Sequence, residues 1–175
     1  MEIPHLRVGI IGDSISVTGA GPSGIAHYPW WHYLMRVQAA AGAPWDVTCV
    51  AVGGERVIDH FAVQLDELLQ LDTPPEVILA MGGINDIAAG YTPEQIQAAM
   101  AALTAVANDA DIELYWMQPP GVVGMPDVFG DLAWDYTHGV PVDLDNYLEE
   151  IGDHVHPMGR MHADMAFGFF EALPQ

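Results

Sequence analysis

The chain has 175 residues, of which 51% are hydrophobic and 16% charged, enough for one well-buried domain and short for two. Asp and Glu number 24 against four arginines and no lysine, and the net charge of −20 disfavours nucleic acid and anionic lipid surfaces as partners while leaving neutral or cationic ones. A single cysteine, Cys49, excludes an intrachain disulfide, and no apolar run approaches the roughly 18 residues of a membrane span. No basic segment followed by a long apolar one opens the chain, so the expectation is a soluble protein, cytoplasmic or displayed outside cells or on a virion by a route not encoded here.

Taken in order, the apolar run 6–11 reads as a buried parallel strand closed by Gly12. Residues 17–27, rich in Gly, Ser and Pro, read as a loop. Pro29 suits a first helical turn, and Trp31, Leu34 and Met35 give an apolar face that ends by Gly42. A second strand is expected over 46–52, closed by Gly53 and Gly54. Val57, Phe61, Leu65 and Leu68 recur at spacings of four and three, an amphipathic helix stopping before Pro74 and Pro75.

The third strand is 77–81, followed by a turn over 82–86. Thr92 with Gln95 makes a capping box, Pro93 fits the first helical position, and Tyr91 with Ile96 can staple the helix that runs to about Asn108. Residues 113–117 supply a fourth strand stopped by Pro119 and Pro120. The stretch 121–138 is irregular with a short helix near Asp131, 140–142 is a brief fifth strand, 145–151 a helical turn or two, and Met161, Met165, Phe169 and Leu173 mark a closing helix. Alternating strands and helices at this spacing imply an α/β fold, with a parallel sheet of about five strands covered on both faces, in a single domain over 1–175.

Ligands of such sheets bind beyond the carboxyl ends of the strands, and Ser14, Gly54 and Asn85 each follow the end of a different strand. A serine is unreactive at neutral pH without a base, an orienting group and donors for an oxyanion. The N–H groups of Ser14 and Gly54 and the Asn85 amide supply donors. Asp153 and His156 supply a carboxylate three residues from an imidazole, a spacing that lets Asp153 orient His156 toward Ser14 in a Ser-His-Asp relay.

Four blocks together carry a family resemblance: Gly12-Asp13-Ser14; Gly54 within Gly53-Gly54-Glu55; Gly83-Ile84-Asn85-Asp86; and Asp153-His154-Val155-His156-Pro157. In content, order and spacing the chain resembles the SGNH hydrolases, the GDSL esterase/lipase family, over nearly its whole length. The resemblance implies a flavodoxin-like three-layer α/β/α sandwich, no metal or organic cofactor, and hydrolysis of esters through an acyl-enzyme. Three positions depart from the family pattern: His154 stands where a small residue is usual, a glycine usual near Met161 is missing, and Ile15-Ser16 replaces the leucine of the family name.

Other features have plainer readings. His154 and His156 as a metal pair would need a third ligand, and none is evident. Asp127, Asp131 and Asp135, at intervals of four, fit a solvated helix face better than a calcium site. The five tryptophans belong mostly to the core, but Trp134 and Tyr136 fall in the irregular stretch, where aromatics can line an acyl or sugar cleft. Asp13 and Asp86 read as turn formers. A compact chain leaves little length for a lid, so the expected substrates are short-acyl esters, acetyl esters on carbohydrates among them. The alternatives are a lysophospholipase or thioesterase and, from another class, a glycan-binding or virion module that keeps the fold without turnover.

Overall fold

Consecutive apolar residues without polar alternation mark a strand buried on both faces. Strand β1 (Leu6–Gly12) meets that description: it is exposed at Leu6 and Arg7 and buried from Val8 onward. The structure, a computed structural model, describes residues 5–17, 19–20, 26–120, 132–135 and 159–172. After β1 come a short antiparallel ribbon, β2 (Gly19–Ala20) with β3 (Ala26–His27), helix α1 (Trp30–Ala40) and strand β4 (Trp45–Cys49). There follow α2 (Phe61–Leu69), β5 (Val77–Met81), α3 (Ile84–Ala88), α4 (Pro93–Asp109), β6 (Glu113–Trp116) and the last helix, here α5 (Gly159–Ala172).

The main sheet has the order β4-β1-β5-β6, and all its pairings are parallel. Val8 lies between Val47 and Val77, and Gly12 stands opposite Met81. The chain leaves β1 toward β4 through α1, then returns across β1 to β5 through α2 and goes on to β6 through α4. Right-handed crossovers that reverse direction in this way place their helices on opposite faces. The packing agrees, with α1 against α5 and β4, and α2 against α4 and β1. The reversal falls between β1 and β5, which makes the carboxyl ends of these two strands the switch point, the place where ligands of such sheets bind.

The core is one cluster running through both layers, with Ile10, Leu79, Leu34, Phe61 and Phe169 almost fully excluded from solvent. Phe61 lies parallel to the Trp116 ring at a centroid separation of 6.3 Å, and Trp30 meets Phe169 edge-on at 5.4 Å. The capping box forms as the sequence requires, Thr92 N–H donating to Gln95 Oε1 at 2.9 Å and Gln95 N–H to Thr92 Oγ1 at 3.4 Å. Among the described residues no helix is long and apolar enough to cross a membrane.

Several boundaries differ from expectation. The second main strand ends at Cys49 rather than residue 52: Val50 and Val52 still donate to the Ile10 and Gly12 carbonyls, but the Gly12 N–H goes to Gln64 Oε1 and not to a carbonyl following β4. The helix expected from Val57 starts at Phe61; residues 57–60 form turns, and Asp86 accepts the N–H groups of Val57 and Ile58. The expected turn 82–86 runs into helix α3, which puts Asn85 and Asp86 in a first helical turn. The loop 17–27 contains the β2–β3 ribbon. Among the described residues the main sheet has four strands; the expected fifth at 140–142, the short helix near Asp131 and the turns at 145–151 lie outside those residues.

Replacing Phe61 by Ala removes the ring that bridges α2 and β6 and should cost about 3–5 kcal/mol. Urea unfolding followed by tryptophan fluorescence measures this, and an unchanged midpoint would mean the site collapses around the missing ring.

Candidate active site

The turn at Ser14, directly after β1, is built by its neighbours. Asp13 is buried, its Oδ1 accepts the Ile15 N–H at 3.0 Å, and its carbonyl accepts the Ser16 N–H at 3.0 Å. This is an aspartate closing a turn over its own backbone. Ile15 and Ser16 are buried, whereas Ser14 is only half-buried, just past the carboxyl end of β1 at the switch point. Ser16 docks the first helix: Trp30 Nε1 donates to its Oγ at 3.1 Å and Trp31 Nε1 to its carbonyl at 2.8 Å. Nothing in the sequence pattern marked these two indoles as more than core.

The loop after β4 passes beside this turn. A Cβ on Gly53 would lie 3.6 Å from Ser14 Cβ, so the glycine backbone itself forms the wall next to the serine. Gly54 has φ +82°, a left-handed conformation that explains the second glycine, and the space around its Cα is open. Both glycines are exposed.

Helix α3 brings the third strand's contribution. Asn85 Nδ2 donates to the Glu55 carbonyl at 2.9 Å and lies 3.5 Å from Asp13 Oδ2, a contact too long to be a strong hydrogen bond. The amide is thereby held between the serine turn and the glycine loop. Asp86 is fully buried and does more than form a turn: Oδ2 accepts the Val57 N–H at 2.9 Å and Oδ1 the Ile58 N–H at 3.0 Å. It pins the loop just beyond Gly53-Gly54. The signal for this role was its place directly after Asn85, but its partners, 28 and 29 residues upstream, could not be read from spacing.

The structure thus brings Ser14, the glycine pair and Asn85 to one edge. Asp153, His156 and Tyr136 lie outside the described residues, as do His154, Asp127 and Asp131. Trp134 is half-buried and packs against the core beside the end of β6. Asp135 meets that strand end directly: its Oδ2 accepts the Trp116 N–H at 2.7 Å and its own N–H donates to the Trp116 carbonyl at 3.0 Å. Asp135 therefore extends the sheet edge. Cys49 is half-buried, and its thiol points at the Ser16 carbonyl at 3.6 Å. Burial pushes its pKa up, partly offset by a hydrogen bond from the Ala51 backbone.

A doubly wound parallel sheet with a serine turn, a glycine loop and an amide converging at its switch point has the architecture of the flavodoxin-like hydrolases. The sequence model of the GDSL-like Lipase/Acylhydrolase family matches residues 10–164, a span that contains all four blocks, and the chain belongs to that family. It is accordingly a carboxylic ester hydrolase of the SGNH type. No curated protein matches the sequence significantly. Similar solved structures include an acetylxylan esterase from Geobacillus stearothermophilus, with TM-score 0.71 and 18% identity, covering 98% of this chain and 96% of the other. A structure of that esterase carrying a catalytic serine-to-alanine change also matches, with TM-score 0.71 at 16% identity. A psychrotrophic esterase from Pseudoalteromonas sp., inhibited by monoethylphosphonate, gives TM-score 0.66 at 18% identity over 94% and 96% of the two chains. A G-D-S-L family protein from Desulfitobacterium hafniense gives 0.74 at 18% identity over 97% and 100%.

Two measurements probe this edge. Asp86→Ala should cost about 1–3 kcal/mol for the buried Val57 N–H it strands, and less for the part-buried Ile58 N–H, read as a lowered urea midpoint; no change would mean water replaces the carboxylate. Because its thiol is held protonated by burial, Cys49 should react with a thiol reagent at pH 8 far more slowly in the folded protein than in urea, and equal rates would contradict that environment.

Proposed function

We propose that residues 1–175 form one serine esterase domain that hydrolyses short-acyl, chiefly acetyl, esters of small neutral alcohols or carbohydrates. The observation that carries the reading is the convergence of the half-buried Ser14 with the bare Gly53-Gly54 backbone and the Asn85 amide. In the proposed reaction His156, oriented by Asp153, accepts the Ser14 hydroxyl proton as Oγ bonds to the ester carbonyl carbon. The carbonyl oxygen takes the negative charge and is met by the N–H groups of Ser14 and Gly54 and by Asn85 Nδ2, whose long contact to Asp13 is easily given up. Collapse breaks the bond to the alkoxy oxygen, which leaves with the proton from His156. Water then repeats the sequence on the acyl-enzyme and frees the acid and Ser14.

Support for a short acyl group comes from the sequence and the similar folds. The chain is compact, its charge of −20 is ill suited to phospholipid headgroups and anionic thioesters, and an acetylxylan esterase shares its fold. A lysophospholipase or thioesterase is the competing reading within the same chemistry.

With p-nitrophenyl acetate and a fluorophosphonate probe, the protein should show turnover and labelling, and Ser14→Ala should lower turnover by about 10³-fold or more and abolish labelling. Labelling that survives the substitution would sink the nucleophile assignment. Across p-nitrophenyl esters from acetyl to palmitoyl, kcat/KM should peak at the short end; a maximum at long chains would favour the lysophospholipase reading.

A further inference from the structure

Gln64 occupies a place on α2 that the helix pattern assigns to an apolar residue. It lies between Phe61, Leu65 and Leu68 on the buried face and is 3% exposed. A primary amide there is costly unless its polar atoms are bonded. Oε1 accepts the Gly12 N–H at 2.7 Å, and Nε2 donates both to the Gly12 carbonyl at 2.9 Å and to the Glu55 carboxylate. These partners fix which end of the amide is nitrogen, since the carbonyl and the carboxylate can only accept.

The position of these bonds is informative. The β1–β4 ladder ends at the Ile10–Cys49 pair, and beyond it Val50 N–H reaches the Ile10 carbonyl at 3.0 Å and Val52 N–H the Gly12 carbonyl at 3.1 Å. In a continuing parallel ladder the Gly12 N–H would find its acceptor on β4. Here Gln64 supplies it, so a side-chain amide stands in for a missing strand peptide two residues before Ser14. The same amide reaches Glu55, the residue after Gly54, and the Glu55 carbonyl in turn takes the Asn85 amide.

We propose that Gln64 is a positioning residue for ester hydrolysis, a clamp that holds the Gly53-Gly54 loop in register with the Ser14 turn through Gly12 and Glu55. The inference rests on the reading of Ser14 and Gly54 given above. A glutamine that merely filled the core would affect stability alone. A clamp affects the chemical step, because donors displaced from the developing oxyanion lose their effect while ground-state binding is little changed.

The test compares Gln64→Glu, Gln64→Met, Glu55→Gln and the double variant Gln64→Glu/Glu55→Gln, in the full chain with p-nitrophenyl acetate, each below its own Tm. Gln64→Glu keeps the shape and the acceptor for Gly12 but loses both donations and faces the Glu55 carboxylate. Its kcat should fall about 10- to 100-fold with KM within about twofold. Gln64→Met, which is apolar and of similar volume, should show the same split and carries the test if the glutamate variant does not fold. In the double variant the two side chains exchange chemistry: the amide introduced at position 55 donates to the carboxylate introduced at position 64, which should restore about fivefold or more of the lost kcat. Glu55→Gln, which keeps an oxygen acceptor for Gln64 Nε2, should leave kcat within about twofold and serves as the reference for the double variant. Unchanged kcat in the folded Gln64→Glu and Gln64→Met variants, or a double variant no better than Gln64→Glu, overturns the clamp. Turnover surviving in Ser14→Ala would instead overturn the nucleophile reading, whatever the Gln64 variants do.

Discussion

The peptide of Gly12 is the point on which sheet, helix layers and site converge. Its N–H and carbonyl project past the regular end of β4 and are met by Gln64 and Val52. Its Cα faces so little space that a Cβ would stand 2.6 Å from Ser16 Oγ and 2.9 Å from the Met81 carbonyl. Glycine is therefore required where the strand meets the turn, by close approach rather than by an unusual dihedral. Because Ser16 fills that space, it can receive Trp30 and Trp31 together, and α1 docks on the turn that presents Ser14. The tightness of one peptide thus fixes both the serine and the first helix above it.

Buried acids hold the edge from the other side. Asp13 and Asp86 are almost wholly excluded from water in a chain of net charge −20, where adding buried negative charge is expensive. Both accept backbone N–H groups: one carboxylate closes the turn at Ser14 and the other spans Val57 and Ile58. Each acid thus converts an irregular segment into a fixed one, and together they bracket the Gly53-Gly54 loop between two anchored stretches.

Much of this was legible in the sequence, for identifiable reasons. Strand 6–11 and the Thr92–Gln95 helix start were readable because buried parallel strands and capping boxes are local patterns, complete within a few residues. Ser14, Gly54 and Asn85 were readable as a set because in a parallel sheet every strand ends on the same edge, so sequence order becomes spatial proximity. Asp86 and Gln64 were not. Asp86 looked like a turn former and Gln64 drew no reading at all, since their roles depend on partners 28 to 52 residues away, which no periodicity encodes. The helix start was misplaced at Val57 because the four-residue step from Val57 to Phe61 continues the apolar spacing through a run of turns, which periodicity alone does not tell from helix.

The same contrast bears on how so acidic a protein can stabilise an anion. A cation placed at the oxyanion would be drawn to the surrounding carboxylates, as Arg56 next to the glycine loop is drawn to Asp59 at 2.6 Å. The proposed donors are backbone N–H groups and an amide, neutral dipoles that carry no net charge to be neutralised and whose direction is set by the turn and by Glu55. Their effect is concentrated within a hydrogen-bond length, while the repulsion from the exposed carboxylates is damped over a Debye length of about 8 Å at physiological salt. Close to the reacting carbon the oriented dipoles prevail, and farther out the protein's charge does. Such a site can stabilise charge that develops during the reaction and still disfavour a substrate that arrives already negative, which is the physical basis for proposing neutral esters as its substrates.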